Sequence, residues 1–221
     1  MSYNIAIDGP AGAGKSTVAK AVAKQLKVIY VDTGAMYRAM ALFMVREGID
    51  RLDVKGIEKK CREANITIGF EKDEQVVYLN GENVNSFLRS EEIGNMASTI
   101  SALLAVRNIL VELQRKIAKE NDCVMDGRDI GTNVLPNAQL KLYLTASSEV
   151  RAQRRYDELV QKKISCDYNQ IKADIEKRDY QDMNREHSPL KQAEDAIYLD
   201  TSNMTLEEEI EKIISLCKIE D

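Results

Sequence analysis

One stretch restricts what this chain can fold into more than any other. Gly9-Pro10-Ala11-Gly12-Ala13-Gly14-Lys15-Ser16, followed by Thr17, fills every position of G-x-x-x-x-G-K-[ST]. An apolar run, Tyr3 to Asp8, leads into it. Behind it, Val18, Ala19, Val22, Ala23 and Leu26 recur at helical spacing from Lys15 to Leu26. The pattern predicts strand, glycine-rich turn and helix in direct succession. In that context the turn's backbone N–H groups face inward around phosphate oxygens, and the following helix adds the positive end of its dipole. Lys15 then reaches the β- and γ-phosphates of a nucleotide, and the Ser16 hydroxyl is a ligand for Mg²⁺. The motif speaks for the bound nucleotide, and says less about what receives a phosphoryl group.

The rest of the chain repeats the opening theme. Short apolar runs at Val28–Asp32, Cys123–Asp126, Leu140–Leu144 and Ala196–Asp200 read as buried strands, separated by long helical patterns. Strands alternating with helices predict an α/β fold with a five-stranded parallel sheet covered by helices. Three of those strands end in Asp8, Asp32 and Asp126. Ligands of open α/β sheets sit beyond the carboxyl ends of the strands, so these acids either serve chemistry or cap the next turn or helix. The stretch from Asn65 to Asn85 breaks the alternation. Ile66, Ile68 and Phe70 alternate, as do Val77 and Leu79, and Asn80-Gly81 is a hairpin signal. This predicts a small antiparallel element in an inserted lobe, with Glu71-Lys72-Asp73-Glu74 as a charged turn. Later helices are expected over Glu149–Lys163, Ile171–Arg185 and Leu206–Leu216.

Composition narrows the partners. The 221 residues are 44% hydrophobic and 30% charged, enough for a sizeable core. The formal charge of −5 argues against a nucleic-acid surface. No apolar run reaches membrane-spanning length, and the run after Met1 is too short for a secretory leader, so a cytoplasmic protein is expected. Cys61, Cys123, Cys166 and Cys217 form no C-x-x-C pair and read as incidental thiols.

Three further clusters fall at strand ends or on late helices. In Asp32-Thr33-Gly34-Ala35-Met36-Tyr37-Arg38, Gly34 is expected to permit a tight turn, and Arg38 lies about one turn into the next helix. An arginine there can grip a phosphate bidentately, although on local sequence alone it also reads as a surface residue. In Asp126-Gly127-Arg128-Asp129-Ile130-Gly131-Thr132, Arg128 is a candidate phosphate clamp and Asp129 a candidate acceptor. In Arg178-Asp179-Tyr180-Gln181-Asp182-Met183-Asn184-Arg185, helical spacing puts Arg178, Asp182 and Arg185 on one face, as functional groups or as ordinary solvated ion pairs. His187, the single histidine, reads as a surface residue.

Together these clusters resemble bacterial cytidylate kinases over essentially the whole chain. The resemblance rests on Ile7–Thr17, Asp32–Arg38, Asp126–Thr132 and Lys177–Arg185, with the hairpin matching the extended monophosphate-binding lobe of that family. It implies a core of about residues 1–35, 103–150 and 190–221, an insert of about 36–102 and a short helical lid of about 151–168, in a monomer acting on CMP and dCMP with ATP and Mg²⁺. It implies that Arg38, Arg128 and Arg185 contact the acceptor phosphate, that Ser98, Arg107 and Asp129 read the base, and that Arg178 and Asp182 hold the sugar. Thr33 stands where many relatives have serine and keeps the hydroxyl. Lys15, with the lid residues Arg154 and Arg155, would offset charge on the moving phosphoryl group, and Arg154 would also lie near the adenine. Other acceptors, such as UMP, AMP or shikimate, use the same motif and sheet. A GTP-dependent switch is disfavoured because no [NT]-K-x-D stretch occurs late in the chain.

Overall fold

A computed structural model describes residues 2–71 and 74–217. The elements in chain order are β1 (Asn4–Asp8), α1 (Lys15–Leu26), β2 (Ile29–Asp32), α2 (Thr33–Arg46), α3 (Val54–Lys60), β3 (Ile66–Glu71), β4 (Glu74–Leu79), β5 (Glu82–Asn83), α4 (Glu91–Ile100), α5 (Leu104–Glu120), β6 (Cys123–Gly127), β7 (Leu140–Thr145), α6 (Ser148–Gln161), α7 (Tyr168–Asn184), β8 (Ile197–Asp200) and α8 (Leu206–Leu216). Five strands make a sheet in the order β2-β6-β1-β7-β8. The pairings of β7 with β1 and with β8 are parallel. The chain divides into two compact units, one of Tyr3–Val28 and Val124–Asp221, the other of Met1–Ser2 and Ile29–Cys123.

In the first of these units, β1 and β7 supply the core. Ile5, Ile7, Leu142 and Leu144 are almost wholly buried, as is Val18 of α1. Strands covered on both faces read as continuous apolar runs, which is why these were legible. The run at Ala196–Asp200 reads the same way, yet β8 is the sheet's edge strand. Ile197 and Tyr198 are exposed there and only Leu199 is buried. The later helices of this unit, α6, α7 and α8, start on side-chain caps. Ser147 accepts from Val150 N, Asp167 accepts from Gln170 N, and Thr205 with Glu208 forms a capping box at α8.

In the other unit α2 is apolar almost all round, with Met36, Met40 and Met44 inaccessible, and it packs on α4, α5, β3 and β4. The lobe expected from the Asn65–Asn85 pattern is a three-stranded antiparallel sheet in the order β3-β4-β5. Asn80-Gly81 joins β4 to β5, and both residues have positive φ, 50° and 86°. That is the backbone of a type I′ turn, which asparagine and glycine tolerate best. Lys72 and Asp73 of the expected charged turn lie outside the described residues. No single helix among the described residues is long and apolar enough to cross a membrane.

Candidate active site

The glycine-rich loop stands where the pattern puts it, between β1 and α1. Gly9 has φ 151°, and a Cβ at this position would lie 1.9 Å from the Leu144 carbonyl oxygen, so the loop cannot leave β1 with any other residue. Gly14 is the N-cap of α1, with φ 86° and no side chain over the first-turn amides. No acidic residue occupies that first turn, which leaves the helix terminus open to an anion. Lys15 is 5% exposed, and its ammonium donates to the Pro10 carbonyl at 2.7 Å. Burial, with help from the Arg128 charge, lowers its pKa to about 7, against the pull of Asp126, Asp8 and Asp182. Ser16 donates to Asp126 Oδ2 at 2.9 Å.

Two residues outside the motif hold the crown of the loop. Arg151 Nη1 donates to the Ala11 carbonyl at 2.9 Å and pairs with Asp179 at 2.6 Å. Asp179 Oδ1 in turn accepts from Ala11 N at 3.3 Å. Arg151 Nε is fixed on the Ala146 carbonyl at 2.8 Å. Arg151 is thus a buried brace of the phosphate loop. Neither residue was singled out by motif, although Asp179 precedes Asp182 by one helical turn and shares its face.

Beyond β6 the backbone forms one π-helical turn, Ile130–Val134. The residues just before it build an ion-pair network with α7. Arg128 Nε meets Asp182 Oδ2 at 2.8 Å, and Arg185 Nη2 meets Asp129 Oδ1 at 3.2 Å. Asn133 Nδ2 donates to Asp129 Oδ2 at 3.0 Å. Burial on its own would raise the pKa of Asp182, but Arg128, Arg178 and Arg185 outweigh it and hold the acid below its usual value. Asp179 and Asp182 form the buried face of α7, and Arg178 is exposed. Arg178 and Asp182 keep their helical spacing within α7, and the expected face is interrupted at Arg185. Arg185 is the C-cap of α7, with extended backbone, and it reaches Asp129 from outside the helix.

Arg154 stands beside the loop on α6, its Nη1 3.6 Å from where a Cβ on Gly14 would sit. It donates to Thr201 Oγ1 at 3.3 Å and to the Thr201 carbonyl at 2.9 Å, just past β8. Arg155 faces elsewhere, at the surface with Glu158.

The remaining candidates lie in the other unit. Asp32 is the N-cap of α2 and accepts from Ala35 N, so the helix begins at Thr33. The tight turn expected at Gly34 is absent, because this glycine is already inside the first helical turn. Arg38 Nη2 pairs with Asp32 at 3.0 Å, and its Nε is buried without a hydrogen-bond partner. A buried donor of this kind has a place left for an anion oxygen. Ser98 of α4 and Arg107 of α5 are each bonded to Ser101, in the corner between the two helices. Ser101, which the sequence did not flag, donates to the Ser98 carbonyl at 2.9 Å and accepts Arg107 Nη1 on its own carbonyl at 3.2 Å. Arg107 is 2% exposed, with its guanidinium 6.0 Å from the Tyr37 ring. The four cysteines are free thiols, and no cluster of three metal-ligating side chains occurs among the described residues.

A parallel sheet, a complete phosphate loop with its lysine and hydroxyl, and arginine–carboxylate pairs at the next strand end define a phosphotransferase of the P-loop kinase class. Within that class the chain belongs to the cytidylate kinase family, whose model matches residues 5–219. It is 51% identical to a cytidylate kinase of Listeria welshimeri over 215 residues, covering 97% of this chain and 95% of the relative. Against a cytidylate kinase of Caldicellulosiruptor bescii the identity is 48% over 213 residues, covering 96% and 94%. Among solved structures, an uncharacterized protein of Eubacterium ventriosum matches with TM-score 0.52 at 12% identity, over 97% of this chain and 98% of that one. A gluconokinase of Sinorhizobium meliloti matches with TM-score 0.50 at 12% identity, over 96% and 90%. These two likenesses concern the fold alone.

Proposed function

We propose that this protein transfers the γ-phosphoryl group of ATP to CMP and dCMP, as a cytoplasmic monomer. The observation that carries the reading is the meeting, within one compact unit of a cytidylate kinase family member, of the donor loop with the Arg128–Asp182 and Asp129–Arg185 pairs. In this reading an oxygen of the acceptor phosphate attacks the γ-phosphorus in line, the bond to the β-phosphate oxygen breaks, and ADP leaves. Gly9 to Thr17 form the donor-phosphate site, with the backbone amides of the loop as donors, Pro10 excepted because it has no N–H. Lys15, in its charged form, and Arg154 offset the charge of the group in flight, so catalysis is chiefly orientation and electrostatic stabilisation.

Arg38, Arg128 and Arg185 hold the acceptor phosphate, and Thr33 adds a hydroxyl. Arg178 and Asp182 serve the sugar. Ser98, Arg107 and Asp129 read cytosine, whose amino group suits an acceptor-only carboxylate and whose ring nitrogen suits a donor-only guanidinium. A carboxylate offers about four lone-pair sites, so accepting from Arg185 and Asn133 is compatible with accepting from the base as well. The Ser16 hydroxyl and the Asp126 carboxylate are oxygen donors already within 2.9 Å, a set that fits Mg²⁺. The ion, when bound, neutralises phosphate charge. A coupled phosphorylation assay with CMP, dCMP, UMP and AMP tests the reading. CMP and dCMP are expected to have the highest kcat/KM, by roughly tenfold or more over UMP. Equal rates on UMP, or a preference for AMP, would remove it.

A further inference from the structure

Asp8 stands one residue before Gly9, so its place in the sequence attaches it to the donor motif. Its side chain is engaged elsewhere. Oδ1 accepts from Ile130 N and Oδ2 from Gly131 N, each at 2.7 Å, and the residue is 4% exposed. These amides open the π-turn that follows Arg128 and Asp129. The turn's own N-cap residue, Asp129, makes no capping bond, so the cap comes from another strand. Gly131 permits the approach. A Cβ there would lie 3.2 Å from Lys141 Cδ and 3.4 Å from Asp8 Oδ2. Burial raises the Asp8 pKa to about 6, with a contribution from Asp129, while the two amides and Lys15 favour the ionised form.

We propose that Asp8 is a positioning residue for the acceptor: by capping the π-turn from β1 it sets the backbone from which Arg128 and Asp129 project. The donor motif and the acceptor segment are thereby built on one strand end, and a carboxylate at the edge of the phosphate loop works for the other substrate. The inference rests on the reading of Arg128 and Asp129 as acceptor-binding residues.

Asp8→Asn tests it, because the amide keeps the size and one acceptor but turns a donor towards the second N–H. Hydrogen exchange at Ile130 and Gly131 is expected to accelerate by about tenfold or more relative to the loop amides of Gly9 to Gly14. KM for CMP should rise roughly tenfold or more, with KM for ATP changed by less than about threefold and the CMP:UMP ratio of kcat/KM narrowed. A parallel rise in both KM values, or one confined to ATP, would overturn the proposal, as would unchanged exchange at the two amides. Should Asp8→Asn not fold, Gly131→Ala crowds the same contact while leaving β1 intact. It is expected to raise KM for CMP by roughly threefold with KM for ATP unchanged, and a wild-type KM for CMP in that variant would equally overturn the idea. The wild-type substrate panel separates the two failures. Absence of CMP activity in the wild type defeats the functional reading, whereas the exchange of the two amides decides the cap by itself.

Discussion

The loop after β1 and the segment after β6 both build a candidate phosphate site at a strand end, by opposite means. The first is mostly backbone. Its glycines clear space, Gly9 against the Leu144 carbonyl and Gly14 at the start of α1, and its braces, Arg151 and Asp179, grip the peptide of Ala11. The second is mostly side chain. Asp126, Arg128 and Asp129 become a constellation only through Ser16, Asp182 and Arg185. Backbone sites therefore carry a local signature, whereas side-chain networks draw on partners more than fifty residues away. Substitutions in the two regions are expected to fail in different ways.

The largest effect belongs to Lys15. Lys15→Ala should lower kcat by about a hundredfold or more with little change in thermal unfolding, measured by steady-state kinetics and calorimetry. A folded variant with near-normal turnover would take the lysine out of the mechanism. The same residue gives a pH dependence of definite sign. Its pKa is lowered to about 7 from 10.5, so between those values the unfolded chain binds more protons than the folded one, and its contribution to stability rises with pH in that window. Polyphosphate favours the charged amine, so ATP binding above pH 7 should take up close to one proton and weaken as pH rises. Calorimetric titration in two buffers of different ionisation enthalpy measures this uptake, which Lys15→Ala should abolish.

Next comes the brace. Asp179 and Arg151 form a pair whose side chains are 12% and 7% exposed, and neutralising the acid leaves a buried guanidinium short of its counter-charge. Asp179→Asn should destabilise the protein by about 3 kcal/mol in chemical denaturation and raise KM for ATP by roughly tenfold, with a smaller effect on CMP. An effect confined to CMP would erase the distinction between the two strand ends, since Asp179 shares a helix with Asp182.

How far the sequence discloses these regions depends on the same contrast. Strand, loop and helix from Asn4 to Leu26 are legible because glycine positions, apolar period and helix start agree within a short window. The inserted sheet is legible through Asn80-Gly81, although its third strand, Glu82–Asn83, is too short for alternation to reveal. The edge position of β8 is hidden because a run of apolar residues does not say which strand lacks a neighbour. The π-turn and its cap are hidden more deeply. Nothing near Ile130 names Asp8 as the acceptor of its amide, and the helical phase of Arg178, Asp182 and Arg185 ignores that α7 ends at Asn184. Arg151 reads as one of several basic residues on α6, because the carbonyl it holds lies 140 positions earlier.

The smallest expected effect is the one that best separates cap from network on the acceptor side. Asn133 lies inside the π-turn, four residues after Asp129, and its Nδ2 donates to Oδ2 at 3.0 Å. The orientation of the amide is set by its partner, since an ionised carboxylate can only accept. On the other oxygen Arg185 supplies a charged contact, and the side chains of that pair are each only 7% exposed. The arginine therefore has the stronger hold, because a carboxylate bonds a charged donor in a buried place more strongly than a neutral donor in a half-buried one. Asn133→Ala removes about 1 kcal/mol of orienting interaction and leaves both the Asp8 cap and the Arg185 pair in place. KM for CMP is expected to rise roughly threefold, the CMP:UMP ratio to narrow by less than in Asp8→Asn, and KM for ATP to stay constant. Parallel kinetics on the two variants with CMP and UMP measure this. If Asn133→Ala costs more on the acceptor side than Asp8→Asn, the aim of Asp129 is set by the side chains around its carboxylate, and the backbone cap is only scaffolding.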